Sequence, residues 1–209
     1  MFAAEILLGL GQLHSFGSIF GNLRSENIFV DADGHLKIND FDFALDFIRG
    51  GPPKINPNET SELFPVEYLS PEMLTSSFET YSKAYDWWCF GIFLYELLTG
   101  ETPFYHENIK KTCKMILNDE VQFPDDFSPD AKDLISKLLD KNPQTRLGSS
   151  EQGIEEIKKH KFFSSLDWNK VLQKEYTPEW KPQIHEIQLD KNDDEIVYEP
   201  LFGAREEPI

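Results

Sequence analysis

Phe20-Gly21-Asn22-Leu23-Arg24-Ser25-Glu26-Asn27 runs directly into Ile28-Phe29-Val30, and Asp40-Phe41-Asp42 stands shortly beyond. Between them lie the turn residues Asp31-Ala32-Asp33-Gly34 and a second short run, Leu36-Lys37-Ile38. Two runs of strand-forming residues joined by an Asp/Gly turn predict a β-hairpin. A hairpin returns the chain to where it began, so Asn27 just before it and Asp40 just after it can converge on one point. A carboxylate and an amide carbonyl are hard oxygen donors of the kind Mg2+ takes. The same residue types beside a turn also serve simply to satisfy turn backbone, and the pair taken alone leaves both readings open.

Upstream, Phe2, Ile6, Leu7, Leu10 and Leu13 recur at helical spacing and predict an amphipathic helix over residues 1–16, ended at Gly17. No cap residue precedes it, so it is expected to be the remainder of a longer helix. On the other side, residues 49–62 hold Gly50, Gly51, Pro52, Pro53 and Pro57 among polar residues and predict a loop. Residues 81–99 form the most hydrophobic helix candidate, stopped at Gly100. Amphipathic helices are predicted over 106–118 and 130–140, the second started by Ser128-Pro129. A short helix over 153–160 precedes Phe162-Phe163. From about Tyr176 the chain is acidic, Pro-containing and without periodicity, which predicts a tail rather than a domain. There is no internal repeat.

Composition narrows the function classes. The 209 residues are 40% hydrophobic and 13% aromatic, enough for one domain with a core. Twenty Lys and Arg against 37 Asp and Glu give a net charge of −17. Such a chain repels phosphate backbones and anionic lipid, which argues against nucleic-acid and membrane-surface binding. Cys89 and Cys113 have no metal-like or CxxC spacing, and two cysteines make no disulfide scaffold. They point to a reducing compartment, expected here to be the cytoplasm. The longest apolar stretch, Trp87 to Tyr95, is far shorter than the ~20 residues of a membrane span. Glu5 interrupts the N-terminal apolar run and no basic segment precedes it, so no secretory signal is expected.

The order of the polar motifs is the strongest signal. Leu13-His14 followed by Phe20 to Asn27 resembles the kinase catalytic loop Y-R-D-L-K-P-E-N, and Asp40-Phe41-Asp42 falls where D-F-G stands. Glu67-Tyr68-Leu69-Ser70-Pro71-Glu72 matches E-Y-L-A-P-E, and Tyr85-Asp86-Trp87-Trp88-Cys89-Phe90-Gly91 matches V-D-W-W-S-L-G. Pro103-Phe104-Tyr105, Lys141 to Gly148, His160-Lys161-Phe162-Phe163 and Leu166-Asp167-Trp168 follow at family spacing. Over residues 1–184 the sequence resembles the AGC group of serine/threonine protein kinases, closest to protein kinase B and its serum-regulated relatives.

That resemblance implies a mainly α fold. It is a protein-kinase-like C-terminal lobe, helical with a short β-hairpin, followed by an extended AGC-type tail, with the N-terminal lobe absent. Residues 1–163 would form the lobe, with the catalytic loop at 20–27 and the activation segment at 40–72, and 164–209 the tail. It implies Mg-ATP as cofactor and Asn27 and Asp40 as the Mg2+ ligands. Glu72 would pair with Arg146, and Asp86 would anchor the catalytic loop; these three hold the lobe and do no chemistry. Ser61 falls at the activation-loop phosphorylation position. The loop there is already acidic through Glu59 and Glu62.

The departures from the family pattern fall on the chemistry. Asn22 stands at the catalytic base, whose loss costs about 10²- to 10⁴-fold in rate. Arg24 stands at the catalytic-loop lysine, keeping the charge but not the shape. Gly21 replaces the arginine that reads a phosphorylated activation loop. Asp42 replaces the D-F-G glycine. Pro65, after Phe64, replaces the threonine that bonds the catalytic pair. No G-x-G-x-x-G loop or V-A-I-K lysine is present, which leaves the Asn27–Asp40 pair without a visible nucleotide to serve. Thr177-Pro178-Glu179-Trp180-Lys181-Pro182 resembles the P-x-F-x-P tail segment, but only Phe202 remains where a hydrophobic motif would follow. The expectation is an inactive kinase relative acting through a protein partner or self-association, by the face around residues 1–30. The alternatives are an active kinase whose N-terminal lobe lies outside this sequence or on another chain, and a decayed fragment without function.

Overall fold

The computed structural model describes residues 1–41, 44, 65–75, 82–178 and 180–183. Asp42, the loop 49–62 with Glu59, Ser61 and Glu62, Phe64, Glu179 and the C-terminal stretch with Phe202 lie outside the described residues.

The elements follow in chain order. Helix α1 (Phe2–Ser15) leads through a 3-10 turn (Ser25–Asn27) to β1 (Ile28–Val30) and β2 (Leu36–Ile38). A second 3-10 turn (Val66–Tyr68) precedes α2 (Pro71–Thr75) and α3 (Lys83–Thr99). Then come α4 (Ile109–Asn118), α5 (Pro129–Leu138), α6 (Ile154–Lys158), a 3-10 turn (Lys161–Phe163) and α7 (Trp168–Leu172). β1 and β2 pair antiparallel with Ile28 opposite Ile38 and Val30 opposite Leu36, and are the only strands among the described residues. The fold is mainly helical with one two-stranded sheet, as the sequence implies.

Helix α3 is the centre. Every residue from Ala84 to Tyr95 is buried, so other elements pack around the helix on all sides. Ser82 caps its start by accepting from the Ala84 N–H, and Gly100 at φ 79° closes its end. Gly91 lets α5 approach: a Cβ there would lie 2.8 Å from Leu139 Cδ2 and 3.0 Å from Leu138 Cβ. Trp88 stacks on Phe104, and Trp87 donates its indole N–H to the Gly148 carbonyl at 2.8 Å. No helix among the described residues is long and apolar enough to cross a membrane.

Each predicted helix is shifted by one to three residues at one end or both, and in two of them a capping side chain sets the start. The helix expected over 106–118 begins at Ile109, because the Asn108 side chain accepts from Lys110 N and Lys111 N and ends the extended approach there. The helix expected over 130–140 starts at Pro129 and ends at Leu138, with the Ser128 hydroxyl capping it through Ala131 N. The short helices α2 and α7 were not expected.

The hairpin is fixed to α1 by buried polar contacts. Glu5 on α1 accepts from His35 Nδ1 at 2.6 Å and from the Leu36 N–H at 2.8 Å. Gly9 on α1 faces Ile38, leaving only 2.8 Å between an added Cβ and Ile38 Cδ1. The tail crosses the other end of the hairpin. Pro178 is buried, and Pro178 and the Trp180 carbonyl lie over Gly34 in the turn.

Candidate functional site

Asp86 on α3 is the fixed point of the site. Its side chain is fully buried and accepts three hydrogen bonds: from Phe20 N at 2.8 Å, Gly21 N at 2.7 Å and the His14 ring Nε2 at 2.6 Å. A buried carboxylate with this many donors is satisfied and rigid. It clamps the loop before Asn22 against the central helix. His14 sets its edge against Trp87 at 4.6 Å, and Lys83 Nζ donates to the His14 carbonyl at 2.8 Å. Gly21 adopts φ 77°, a left-handed backbone that favours glycine.

Beyond this anchor the loop meets the hairpin ends. Asn39 N donates to Asn27 O at 2.9 Å, which extends the hairpin ladder and brings Asn27 beside Asp40. Asn27 Nδ2 donates to Asn22 O at 2.8 Å, and Asn22 Nδ2 donates to Asp40 Oδ2 at 2.8 Å. Asn22, Asn27 and Asp40 therefore form one chain of hydrogen bonds. Asn22 and Asn27 are 5% and 7% exposed, so the Asn27–Asn22 bond is shielded from water, while Asp40 is partly buried. Asp40 holds φ 65°, an uncommon conformation for a residue with a side chain, which the bond to Asn22 helps maintain. Beside it Phe41 packs edge-on against Phe20 at 5.5 Å and is 40% exposed, as is Phe29.

Residues 65–72 meet the loop through Tyr68. The Tyr68 hydroxyl donates to Glu96 on α3 and accepts from Ser25 N at 3.4 Å. Burial, with the Glu96 charge adding to it, pushes the phenol well above its ordinary range and keeps it protonated. Pro65 begins the turn at φ −56° and brings no side-chain donor to the loop. Arg24 is partly buried, and its Nε has no hydrogen-bond partner among the described residues.

Glu72 and Arg146 lie apart from this network. Arg146 is 1% exposed and meets Glu72 through two parallel bonds, Nη1 to Oε1 at 2.7 Å and Nη2 to Oε2 at 2.8 Å. It also donates to the carbonyls of Ala84 and Asp140, and its guanidinium lies 5.0 Å from the Trp88 ring centroid. The pair ties α2 to the start of α3 and faces no open surface.

The structure thus brings Asn22, Asn27 and Asp40 together, sets Asp86 under them, and leaves Glu72–Arg146 apart. Sequence reasoning assigned no role to His14, Glu5 or His35. His14 was visible as a motif residue, but its bond to a residue 72 positions away carries no local signal.

No cluster of three or more His, Cys, Asp or Glu among the described residues could hold a metal. The fit to Mg2+ rests on Asn27 and Asp40. With its nitrogen committed to Asn22 O, Asn27 keeps Oδ1 as a donor, and Asp40 keeps its second carboxylate oxygen. These suit an ion that brings phosphate and water oxygens with it, because Mg2+ takes six and rarely finds them all in protein.

Residues 1–163 match the protein kinase domain family. The chain is 37% identical over 204 residues to human ribosomal protein S6 kinase alpha-3, covering 98% of this chain and 26% of that protein. It is 40% identical over 190 residues to cAMP-dependent protein kinase type 3 of Saccharomyces cerevisiae, covering 90% and 45% respectively. Against human RAC-beta serine/threonine-protein kinase it is 36% identical over 203 residues, covering 96% and 40%. The chain spans between about a quarter and under half of the length of these relatives.

Proposed function

The chain belongs to the protein kinase family, in its AGC group of serine/threonine kinases, and from that membership we propose that it is a catalytically inactive member that works by binding protein. Residues 1–163 are the kinase-like lobe of this proposal and 164–209 its tail. The observation that carries the reading is the bond from Asn22 Nδ2 to Asp40 Oδ2 at 2.8 Å. A general base must take a proton from a substrate hydroxyl, and it needs a basic lone pair within reach. The Asn22 amide nitrogen offers hydrogens instead, and its oxygen is a far weaker base than a carboxylate.

Two neighbours support the same reading. Arg24 carries the charge of the catalytic-loop lysine on a planar fork, with a buried Nε that finds no partner among the described residues. Pro65 brings no hydroxyl to either. Asn27 and Asp40 would hold Mg2+ if a nucleotide delivered it, and the ion would then offset phosphate charge. The substrate proton would still lack an acceptor at Asn22. Both cysteines are thiols, in keeping with a reducing, cytoplasmic setting. The acidic charge disfavours nucleic acid as the partner.

A second reading, an active kinase completed by further sequence or by a second chain, is favoured by one fact. The oxygen-bearing pair Asn27 and Asp40 remains in one network above an intact Asp86 anchor. Phosphotransfer decides between the two. This chain, and any longer natural protein containing it, is incubated with Mg2+, labelled ATP and a serine/threonine peptide library. The expected result is no label above that of an Asp40→Asn control. Transfer by the parent protein that Asp40→Asn abolishes would establish the second reading.

A further inference from the structure

Asn22 has a place in the structure that its lack of basicity does not explain. Its side chain is buried and bridges two elements, the catalytic loop and the residue after the hairpin. The orientation of the amide is forced by its neighbour. With oxygen and nitrogen exchanged, an amide oxygen would face the Asp40 carboxylate oxygen at 2.8 Å, two acceptors with no hydrogen between them. The hydrogens therefore point at Asp40, while the backbone carbonyl of the same residue accepts from Asn27 Nδ2 at 2.8 Å.

We propose that Asn22 stands in for a divalent cation: its amide hydrogens hold the Asp40 carboxylate against the catalytic loop, so the two ends of the hairpin stay joined with no metal ion bound. A carboxylate drawn partly out of water, as Asp40 is, gains from positive charge or hydrogen-bond donors around it. A cation can meet that need, and so can an N–H. The two compete for the same oxygen, since a cation binding Asp40 Oδ2 would face the amide hydrogens. With Asn22 in place, the free ion has, among the described residues, only Asn27 Oδ1 and one Asp40 oxygen to take, too few to strip its water. A carboxylate at position 22 would have the opposite effect. It would set two negative charges close together beside a carbonyl oxygen, an arrangement that repels itself when empty and attracts a divalent ion.

The inference rests on the Asn22 geometry and not on the absence of phosphotransfer, and the test uses no nucleotide. MgCl2 alone and MnCl2 alone are titrated against the parent chain and the variants Asn22→Asp and Asn22→Ala. Two readouts are followed: the thermal midpoint, and loss of the free-Mn2+ paramagnetic resonance signal. The double variant Asn22→Asp/Asp40→Asn reports diffuse uptake by the acidic surface.

The parent is expected to take up no more Mn2+ than the double variant, with an unchanged midpoint. Asn22→Ala should melt lower and gain nothing from the ion. Asn22→Asp should melt lower in the absence of ions and take up one further Mn2+, with a midpoint rise of roughly 3 °C at about 10 mM ion. Site-specific uptake by the parent equal to that of Asn22→Asp would sink the proposal, whether or not the parent transfers phosphate. So would an Asn22→Ala midpoint equal to the parent's, or an Asn22→Asp variant that folds and takes up no extra ion. If Asn22→Asp does not fold, the parent titration and Asn22→Ala still decide it. Phosphotransfer by a parent that shows no free-ion uptake would overturn the inactive reading and leave this one standing.

Discussion

Arg146 and Glu72 carry opposite charges into a place where water cannot reach them, and two parallel hydrogen bonds keep them there. Removing one partner leaves the other charge buried and unpaired, which is worse than having neither. Glu72→Gln is therefore expected to lower the unfolding free energy by about 3–5 kcal/mol in urea denaturation. Arg146→Lys should also destabilise, because an ammonium cannot reproduce the fork that meets Glu72, Ala84 and Asp140 together. A loss under about 1 kcal/mol for Glu72→Gln would mean that water reaches the pair. At this scale the order of the motifs pointed to side chains that meet, as Glu72 and Arg146 do. Asn22, Asn27, Asp40, Asp86, Glu72 and Arg146 stand in an order that names their family positions. It was silent on hydrogen-bond direction. Asn22 stands where the family resemblance expects a base, but its donation to Asp40 depends on a side-chain rotation that residue order does not encode.

The hairpin shows what an element can conceal. Its strands and turn were readable from strand-forming pairs around Asp31 to Gly34, whereas its attachments at both ends were not. Gly34 has φ 89°, and a Cβ there would meet the Trp180 carbonyl at 2.5 Å and Pro178 Cβ at 2.9 Å. Asp31 ties the same turn to the segment before it, through Lys174 at 3.0 Å. Gly34→Ala combines a backbone penalty of about 1–2 kcal/mol with a clash against main chain. The tail is the less anchored partner and should lift. The expected outcome is a red shift in Trp180 emission and faster proteolysis between residues 174 and 183, with most of the global stability retained. Unchanged proteolysis would mean the strap does not rest on the turn. Acid should act at the same place. The His35 N–H, and then Lys174, hold the Asp31 carboxyl well below the usual carboxylate range. A carboxyl depressed in the folded state contributes stability that is complete above its unfolded value of about 3.9 and is lost as pH falls below it. The strap should therefore hold from neutral pH to about 4 and loosen only below that.

Over the whole molecule a long-range repulsion opposes a short-range attraction. The net charge of −17 pushes copies of the chain apart at every orientation. Phe29, two residues after Asn27, and Phe41, next to Asp40, are each 40% exposed, and such apolar surface gains by being covered. The two forces have different ranges. Repulsion acts over the Debye length, about 10 Å at 0.1 M salt and about 3 Å at 1 M, whereas the apolar contact acts only where surfaces touch. If this face is the binding surface of the proposed function, salt should favour association instead of dissolving it. In multi-angle light scattering the chain should be monomeric at low ionic strength and move toward a dimer's mass as NaCl rises to about 1 M. Phe29→Glu should remain monomeric throughout, since it adds charge where the apolar surface was. A parent chain that stays monomeric at all salts and concentrations would remove self-association, leaving a different protein as the only occupant for this face. Association that weakens with salt would assign the contact to charged groups elsewhere on the surface.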